Sequence, residues 1–415
     1  MEALSIFGRH ALHGTVAVSG AKNSALPILA ACLLVGGEHI IENCPDITDI
    51  RTACRLLEEL GCAVARTGVT LHLDNRAAVP GRIRPELLQA MRAGVLFQGA
   101  LYARFGTGEL SQPGGCSLGE RPIDLHLRAL EALGAQITES EGRFLLERRG
   151  PDGGFCSFPY PSVGATENAL LTAAAAGNDT VLLGCACEPE ITDLADFLNA
   201  CGASVTGAGT SCIIVRGGRI LRGARHRIIP DRMEAVSFLC AALACGGEIT
   251  LTDTAPAAYA AERELLETAG CRFRAAETGL TMTAPERPEP IPLAATGPWP
   301  RFSTDAQPLL MAALLRAEGV SRFCETVFEH RFGYTEELRK LGANIEVIGR
   351  YARLEGGAPL RGCALHAADL RGAAALLIAA MSAEGESRLT GLEHLERGYH
   401  RFPERLRDLG AVISP

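Results

Sequence analysis

A repeat of about seventy residues runs through the whole chain and restricts the folds that it can adopt. One short pattern, the end of an amphipathic helix followed by glycine, occurs six times. Its glycines are Gly61, Gly134, Gly202, Gly270, Gly342 and Gly410, which are 73, 68, 68, 72 and 68 positions apart. Glycine at this position is typical of a helix C-terminal cap. Each copy therefore predicts the end of a helix and then a short strand, such as those beginning near Gln136 and Asn344.

A second series of glycines alternates with the first and follows helices rich in Ala and Leu. These are Gly37, Gly108, Gly177, Gly247, Gly319 and Gly385, which lie 24, 26, 25, 23, 23 and 25 positions before the next glycine of the first series. Because the two series keep a constant phase, every copy contains two helices and three or four strands. The predicted order is βαβαββ, and six such copies predict an α/β protein.

The two ends of the chain complement each other. The sixth copy stops at Pro415, just after its final glycine, and lacks its last strand. Residues 3–19, in which apolar residues alternate from Thr15 to Val18, can supply the missing pairing. We therefore expect two domains of three repeats each, one comprising residues 22–229 and the other residues 1–21 together with 230–415.

Composition excludes several classes of protein. Hydrophobic residues make up 47% of the 415 positions and charged residues 21%, which is typical of a soluble globular enzyme. A net charge of −8 gives no support for a nucleic-acid partner or an anionic membrane surface. Fifteen cysteines, mostly within apolar runs, are typical of core thiols in a reducing compartment. No apolar run reaches the length of a membrane span, and no secretory signal precedes the first strand. The expected location is the cytoplasm.

Counting back 14 to 16 positions from each glycine of the second series leads to the start of a helix. The residues found there are Lys22, Arg92, Ser162, Arg232, Asp305 and Arg371. Helix N-termini carry unpaired N–H groups and the positive end of the dipole, so Ser162 and Asp305 are explained as ordinary caps. A cation there opposes the dipole and requires either an external anion or a carboxylate. Arg121 and Arg397, each 13 positions before a glycine of the first series, extend the pattern. We expect these residues to converge on a cleft between the domains that binds a polyanionic substrate.

Two further residues are candidates for chemistry. Lys22 is one of only two lysines among 40 basic residues, so its retention at a helix start is notable in a chain that otherwise uses Arg. Cys116 lies between glycines in residues 112–122, a composition that predicts a mobile loop. Arg121 nearby would favour its thiolate, which makes Cys116 a candidate acid or nucleophile. The alternative is that Cys116 is an incidental small loop residue.

The motifs that contain these residues resemble a known family. They include Ser19-Gly-Ala-Lys22-Asn23, Pro113-Gly-Gly-Cys116, Arg121-Pro-Ile-Asp124-Leu-His, Ser162-Val-Gly, Thr304-Asp305, Glu329-His-Arg331, Asp369-Leu-Arg371 and Glu396-Arg397-Gly-Tyr399. Over essentially its whole length, the chain resembles the UDP-N-acetylglucosamine 1-carboxyvinyltransferases. The resemblance implies two inside-out α/β barrels, also called α/β prisms, of three repeats each. It also implies enolpyruvyl transfer from phosphoenolpyruvate to the 3′-hydroxyl of UDP-N-acetylglucosamine, with release of phosphate, as the first committed step of peptidoglycan synthesis.

The resemblance also implies roles for individual residues. Cys116 would donate a proton and bond covalently to phosphoenolpyruvate, which implies inactivation by the epoxide fosfomycin. Asp305 would act as base or positioner near the acceptor hydroxyl, and Asn23 would bind the tetrahedral intermediate. Lys22, Arg121 and Arg397 would hold phosphoenolpyruvate, while Arg92, Arg331, Asp369 and Arg371 would line the cleft. The sugar-nucleotide pocket would comprise Arg121, Pro122, Ile123, Asp124, Leu125, Ser162, Val163, Gly164 and Val327. No metal or organic cofactor is expected.

One departure from the family and two alternative functions stay open. Some members carry a basic residue just before Ser-Val-Gly, where this chain has Pro159-Tyr160-Pro161, so a side-chain contact to the diphosphate is in question there. The sister transferase that uses shikimate 3-phosphate shares the repeat but lacks the Pro-Gly-Gly-Cys loop. A catalytically silent paralogue that binds sugar nucleotide is the second alternative. The sequence makes no prediction of oligomeric state.

Overall fold

The computed structural model describes residues 3–111, 123–140, 142–150 and 152–415, including all their side chains except that of Gln89. These residues form two compact units. Unit I comprises residues 20–111 and 123–229, and unit II comprises residues 3–19 and 230–415. Each unit has its own hydrophobic core.

Helices and strands alternate along the whole chain. The helices are α1 Lys22–Leu34, α2 Thr48–Glu59, α3 Pro85–Ala90, α4 Gly94–Phe105, α5 Asp124–Ala132, α6 Val163–Ala175, α7 Pro189–Ala200, α8 Arg232–Cys245, α9 Ala260–Thr268, α10 Gln307–Ala313, α11 Thr335–Lys340, α12 Leu370–Ser382, α13 Leu392–Glu396 and α14 Phe402–Asp408. The strands are β1 Ala3–Phe7, β2 Leu12–Ala17, β3 Glu38–Glu42, β4 Ala63–Thr67, β5 Thr70–Asp74, β6 Thr107–Leu110, β7 Ala135–Ser140, β8 Arg143–Arg148, β9 Gly154–Ser157, β10 Thr180–Leu183, β11 Val205–Thr206, β12 Cys212–Val215, β13 Arg225–Arg227, β14 Gly247–Thr252, β15 Arg272–Ala276, β16 Gly279–Thr283, β17 Ala294–Ala295, β18 Gly319–Cys324, β19 Asn344–Ile348, β20 Tyr351–Gly356, β21 Ala364–His366, β22 Glu386–Thr390 and β23 Val412–Ser414.

Each unit contains three sheets. Unit I has β13-β3-β5-β4, β11-β12-β10-β9 and the three-stranded β6-β8-β7, and unit II has β15-β16-β14-β2, β17-β18-β20-β19 and β21-β22-β1-β23. All five four-stranded sheets have the same topology, with one parallel pair and two antiparallel pairs. This recurrence is the structural form of the sequence repeat.

The core of each unit is a set of three mutually packed helices, α1, α4 and α6 in unit I and α8, α10 and α12 in unit II. Nearly every residue of these helices is buried, as in α8, where all positions from Met233 to Cys245 are inside. A helix that is apolar on every side must be covered on every side. The sheets provide that cover, since strands such as β5 bury alternate residues and expose the others. The three inner helices of each unit therefore lie inside, and the sheets lie around them together with amphipathic helices such as α2 and α5.

The helix ends that the repeat predicts are confirmed. All six glycines of the first series have positive φ, between 91° and 105°. Glycine adopts this conformation without steric cost. At two of them the space is also closed, because a Cβ on Gly61 would lie 2.9 Å from the carbonyl oxygen of Ala77, and one on Gly342 would lie 2.9 Å from that of Pro359.

The N-terminal strands pair with the C-terminal half of the chain. β1 lies between β22 and β23, and its Ser5 is opposite both Arg388 and Ser414. β2 runs parallel to β14 in unit II, whereas β13, from the last part of the first three repeats, runs parallel to β3 in unit I. β1 therefore takes the position that the incomplete sixth repeat leaves empty.

Candidate active site

The six residues predicted at helix starts all lie there. Lys22 and Arg232 are the first residues of α1 and α8, Arg371 is the second residue of α12, and Ser162 is the N-cap of α6. Arg92 and Asp305 lie two positions before the first residues of α4 and α10. The inner helix of every repeat thus begins beside one of these six side chains.

Asp305 is the centre of the polar cluster in unit II. Its Oδ1 accepts a hydrogen bond from Nη2 of Arg331 at 2.9 Å, and its Oδ2 accepts one from Nε of Arg371 at 3.1 Å. The carboxylate side chain is 31% exposed, whereas those of Arg331 and Arg371 are 2% and 6% exposed. Two buried guanidinium groups therefore fix a carboxylate that still reaches the surface of its unit.

Both guanidinium groups are held by further contacts. Nε of Arg331 donates to the carbonyl oxygen of Thr304 at 3.1 Å, which ties it to the residue next to Asp305. Nη1 of Arg371 donates to the hydroxyl of Tyr399 at 3.0 Å. Burial opposes the charge of Arg371, but the neighbouring Tyr399 and Asp305 outweigh that effect and raise its pKa above the ordinary value. Arg371 is therefore a permanent cation at the start of α12.

The other predicted site residues of unit II lie on loops and helix ends. Asp369 caps α12, since its Oδ1 accepts from the backbone N–H groups of Arg371 and Gly372, both at 3.0 Å. Arg397 follows α13 and is half-buried, two positions before Tyr399. Val327 is 42% exposed, and its N–H donates to Oε1 of Glu325 at 2.7 Å.

In unit I, Lys22 is paired with a carboxylate that the sequence did not indicate. Its Nζ lies 3.0 Å from Oδ2 of Asp49, in the first turn of α2, and the two side chains are 14% and 4% exposed. Asn23 follows Lys22 on α1 and is exposed, and Arg92 is half-buried. The carboxylate that a cation at a helix start requires is thus present for Lys22, as it is for Arg371.

The starts of α5 and α6 carry the residues expected to hold the sugar nucleotide. Ser162, Val163 and Gly164 are half-buried at the start of α6, where Oγ of Ser162 accepts from the N–H of Ala165. Asp124, the first residue of α5, is exposed, while Ile123 and Leu125 on either side of it are buried. The three residues that replace the basic position, Pro159, Tyr160 and Pro161, are all exposed.

His126 links these two helices. Nδ2 of Asn168 donates to Nδ1 of His126 at 2.9 Å and to the carbonyl oxygen of Val95 at 3.2 Å. Burial lowers the pKa of His126 to about 4, so the imidazole is neutral at pH 7. A Cβ on Gly164 would lie 3.3 Å from Nε2 of His126, so the ring packs closely against the start of α6.

Cys116, Arg121 and Pro122 lie outside the described residues, and their roles stay predictions. Among the described cysteines, burial raises the pKa of Cys44, Cys185, Cys201, Cys245 and Cys271 to about 12. These thiols are protonated at neutral pH and are poor nucleophiles. In the parts of the chain that the structure describes, no group of three or more His, Cys, Asp or Glu side chains is arranged to hold a metal ion.

The sequence analysis missed Asp49 as the partner of Lys22, although a signal for it exists. Asp49 lies 12 positions before Gly61, and Arg331 lies 11 before Gly342, which is the same part of the repeat as Arg121 and Arg397. The start of the second helix is therefore a recurrent site for charged residues, as the start of the first helix is. A count of 13 positions back from Gly61 leads to Thr48, and Asp49 is the next residue along the chain.

Comparison with known proteins identifies the family. Residues 6–406 match the family described as EPSP synthase (3-phosphoshikimate 1-carboxyvinyltransferase). The chain belongs to this family. Among solved structures, the enolpyruvyl transferase NikO from Streptomyces tendae superposes with a TM-score of 0.89 at 28% identity and covers 99% of this chain and 98% of its own. EPSP synthase from Acinetobacter baumannii, at 19% identity, has a TM-score of 0.76 and covers 100% and 99%. The predicted fold class is thereby confirmed.

Within the family, the chain is similar over its full length to one named group of enzymes. UDP-N-acetylglucosamine 1-carboxyvinyltransferase from Anaeromyxobacter sp. (strain K) is 44% identical over 419 residues, which cover 100% of this chain and 99% of that protein. UDP-N-acetylglucosamine 1-carboxyvinyltransferase 2 from Caldanaerobacter subterraneus subsp. tengcongensis is 41% identical, with the same coverage. No helix among the described residues is long and apolar enough to cross a membrane.

Proposed function

We propose that the chain transfers the enolpyruvyl group of phosphoenolpyruvate to the 3′-hydroxyl of UDP-N-acetylglucosamine and releases phosphate, as the first committed step of peptidoglycan synthesis. The observation that carries this proposal is the similarity to UDP-N-acetylglucosamine 1-carboxyvinyltransferases, at 44% identity along the full length of the chain. Identity to a solved EPSP synthase is 19%, which supports the shared fold but not a shared acceptor.

The proposed chemistry is an addition followed by an elimination. In the addition, the vinyl carbon of phosphoenolpyruvate gains a proton, and the acceptor oxygen bonds to the neighbouring carbon as its own proton leaves. The product is a tetrahedral ketal that still carries phosphate. In the elimination, the methyl group loses a proton, the double bond re-forms, and phosphate departs with its bonding electrons. These steps need an acid, a base, and cations that bind the phosphate and carboxylate groups.

Asp305 is the proposed base or positioner for the acceptor hydroxyl. Both of its oxygens accept hydrogen bonds from guanidinium groups, so its orientation is set before substrate binds. A group that is held in advance loses little entropy in the reaction, which favours accurate placement of the hydroxyl. Arg331 and Arg371 support this carboxylate and complete the cationic lining, while Asp369 would hold Arg371 in place by capping the start of α12.

Phosphoenolpyruvate is the proposed ligand of Lys22, Arg121 and Arg397. Its phosphate and carboxylate carry negative charge throughout the reaction, which an ammonium and two guanidinium groups would stabilise. Arg92 would add to this lining, and Asn23 would donate to the tetrahedral intermediate. Cys116 is the proposed proton donor, and inactivation by fosfomycin with modification of that one thiol tests its role.

The sugar nucleotide is the proposed ligand of Arg121, Pro122, Ile123, Asp124, Leu125, Ser162, Val163, Gly164 and Val327. The backbone N–H groups at the start of α6 suit an anionic group of the nucleotide. We propose a cytoplasmic location, because both substrates are metabolites of that compartment. The proposed partners are these two small molecules, without nucleic acid or membrane.

The experiment is an assay of phosphate release from phosphoenolpyruvate by the purified protein. UDP-N-acetylglucosamine and shikimate 3-phosphate are supplied separately as acceptors. We expect release only with the sugar nucleotide. Release with shikimate 3-phosphate would assign the chain to the sister reaction. Binding of UDP-N-acetylglucosamine without any release would identify a catalytically silent paralogue.

A further inference from the structure

We infer that Tyr399 and Ser237 are positioning residues, which orient Asp305 through Arg371. The inference rests on the proposed function and adds two residues that touch neither substrate in that proposal. Tyr399 follows α13 and Ser237 lies within α8, 162 positions apart in the chain. Both side chains are buried, at 4% and 0% exposure.

The four side chains form one continuous hydrogen-bonded series. Oδ2 of Asp305 accepts from Nε of Arg371 at 3.1 Å. Nη1 of Arg371 lies 3.0 Å from the Tyr399 hydroxyl, and that hydroxyl lies 2.7 Å from Oγ of Ser237. Oγ of Ser237 in turn lies 2.7 Å from the carbonyl oxygen of Met233 in the first turn of α8. The series therefore begins at the proposed base and ends at the backbone of an inner helix.

The direction of every hydrogen bond in this series is determined. Arg371 can only donate, so the oxygen of Tyr399 is its acceptor. The carbonyl of Met233 can only accept, so the single proton of Ser237 is donated to it. The hydroxyl of Tyr399 must then donate its proton to Oγ of Ser237. The hydroxyl of Tyr399 therefore accepts from Arg371 and donates to Ser237, so both of its hydrogen-bonding roles are used within this series.

The ring of Tyr399 is also fixed by packing. The centre of its ring lies 4.7 Å from the centre of the Phe402 ring. That ring in turn lies 4.9 Å, centre to centre, from the ring of Phe238 in α8. The guanidinium carbon of Arg371 is 5.4 Å from the centre of the Tyr399 ring. The hydroxyl is thus carried by a ring that packs in a cluster of three tilted aromatic rings, and a packed support is what precise placement of a reacting group requires.

Arg397 is connected to the same anchor. It lies two positions before Tyr399, with Gly398 between them. Gly398 packs closely on Leu370, the first residue of α12, and a Cβ on Gly398 would lie 2.7 Å from the Leu370 side chain. The backbone N–H of Tyr399 donates to the carbonyl oxygen of Leu395 at 3.1 Å. Tyr399 therefore contacts both proposed site residues: its backbone fixes the segment that contains Arg397, and its hydroxyl holds the side chain of Arg371.

The test compares Tyr399→Phe with a matched control in the same unit. Tyr259 is also buried, at 1% exposure, and its hydroxyl lies 2.8 Å from Oγ1 of Thr254. Tyr259→Phe removes the same hydroxyl from the same kind of pair, without a contact to Arg371. We expect Tyr399→Phe to lower kcat by roughly 10- to 100-fold with little change in the KM for either substrate, because a small displacement of a catalytic group has an effect of that size. We expect Tyr259→Phe to retain the wild-type kcat.

Two further variants keep the test informative if Tyr399→Phe folds poorly. Ser237→Ala removes the acceptor of the Tyr399 proton, together with the bond to the carbonyl of Met233, and should lower kcat in the same way. Ser237→Thr keeps the hydroxyl and should retain most of the wild-type kcat. Equal kcat for Tyr399→Phe and Tyr259→Phe, or an effect on KM alone, would overturn the inference. Equal kcat for Ser237→Ala and wild type would do so as well.

A crystal structure of Tyr399→Phe separates this inference from the proposed function, because it needs no activity. We expect the guanidinium of Arg371 to rotate and its bond to Oδ2 of Asp305 to lengthen. An unchanged Arg371 and Asp305 would overturn the positioning role, whatever reaction the wild-type protein catalyses. Absence of phosphate release by the wild type would overturn the proposed function instead.

Discussion

Lys22 and Arg371 each stand at the start of a buried helix, where a positive charge opposes the helix dipole. In both cases a carboxylate of the same unit lies about 3 Å away, Asp49 for Lys22 and Asp305 for Arg371. The carboxylates offset the unfavourable placement and also fix the direction of each cation. Each pair therefore holds its cation in one orientation at the start of an inner helix.

At Lys22 the shape of the cation should matter as much as its charge. Lys22→Arg replaces a compact ammonium, 3.0 Å from Asp49 and 14% exposed, with a planar group that needs more room. We expect phosphate release to fall by roughly 100-fold. Lys340→Arg is the matched control, because that lysine is 52% exposed and pairs with Glu337 on α11. Near-normal turnover of Lys22→Arg would show that Lys22 is only a surface cation.

His126 should make stability fall in mild acid. Its pKa is about 4 in the folded protein, below the ordinary value of 6.5, so the unfolded chain binds a proton that the folded chain does not. The contribution is fully present above pH 6.5 and is lost as the pH falls from 6.5 towards 4, by at most about 3 kcal/mol. Urea unfolding of wild type and His126→Gln at pH 7.5 and pH 5 measures it. We expect the difference between the two proteins to shrink at pH 5, and an unchanged difference would contradict a neutral buried imidazole.

At the scale of elements, capping explains why the helix starts were predictable. Glycine caps and helix-start residues are local signals, so counting along the repeat located six helix ends and six helix starts. The second series of glycines was less accurate, because none of its six members is the C-cap of the preceding inner helix, and Gly108, Gly247 and Gly319 lie in the next strand. The short helix α3 was not predicted, since it belongs to the second repeat alone. The second repeat also lacks a fourth strand in its sheet, among the residues that the structure describes.

The partners of the site residues could not be read from the sequence in the same way. Contacts such as Lys22 with Asp49, Arg371 with Asp305, and Tyr399 with Ser237 join residues 27, 66 and 162 positions apart. Such distances depend on how helices pack, and no spacing within one helix or strand encodes them. The repeat narrows the search to helix starts, but packing decides which of these side chains meet.

The cap of α12 gives a test at this scale. Asp369→Ala removes the acceptor of two backbone N–H groups, and we expect the free energy of unfolding to fall by about 1 kcal/mol. Asp369→Asn keeps a capping oxygen and should cost only a few tenths of a kcal/mol. Urea denaturation followed by circular dichroism measures both. Equal losses for the two variants would show that the charge, and not the cap, stabilises this helix.

At the scale of the whole molecule, the repeat predicted the fold class. In addition, β2 precedes α1 of unit I but lies in unit II, and β13 precedes α8 of unit II but lies in unit I. No local sequence pattern indicates this exchange. β2 and β13 precede equivalent inner helices, yet β2 pairs with β14 and β13 pairs with β3. A parallel pair between strands far apart in the chain leaves no pattern within either strand. The incomplete sixth repeat predicted that residues 3–19 pair with the C-terminal half of the chain, but the sequence did not predict which strand β2 lies beside.

Unit II should fold on its own when its two segments, residues 230–415 and 1–19, are joined by a short linker. Ser5 and Ser414 are opposite each other in antiparallel strands, so a short linker can connect Pro415 to the N-terminus. We expect a chain of residues 230–415, a linker and residues 1–19 to unfold cooperatively in urea. Residues 230–415 alone lack β1 and its fully buried Leu4 and Ile6, so we expect this shorter chain not to unfold cooperatively. Equally cooperative unfolding of both chains would show that β1 and β2 are dispensable.

The position of β1 also has a consequence for synthesis on the ribosome. β1 is synthesised long before its partner β22, because Glu386, which lies opposite Phe7, follows it by 379 positions. At about 5 to 20 residues per second this delay is roughly 20 to 75 s. Unit I can complete its core during that time, whereas the apolar side chains of Leu4 and Ile6 are not yet packed against β22 in the nascent chain. An N-terminal segment of this kind is a natural client for a chaperone that binds at the tunnel exit.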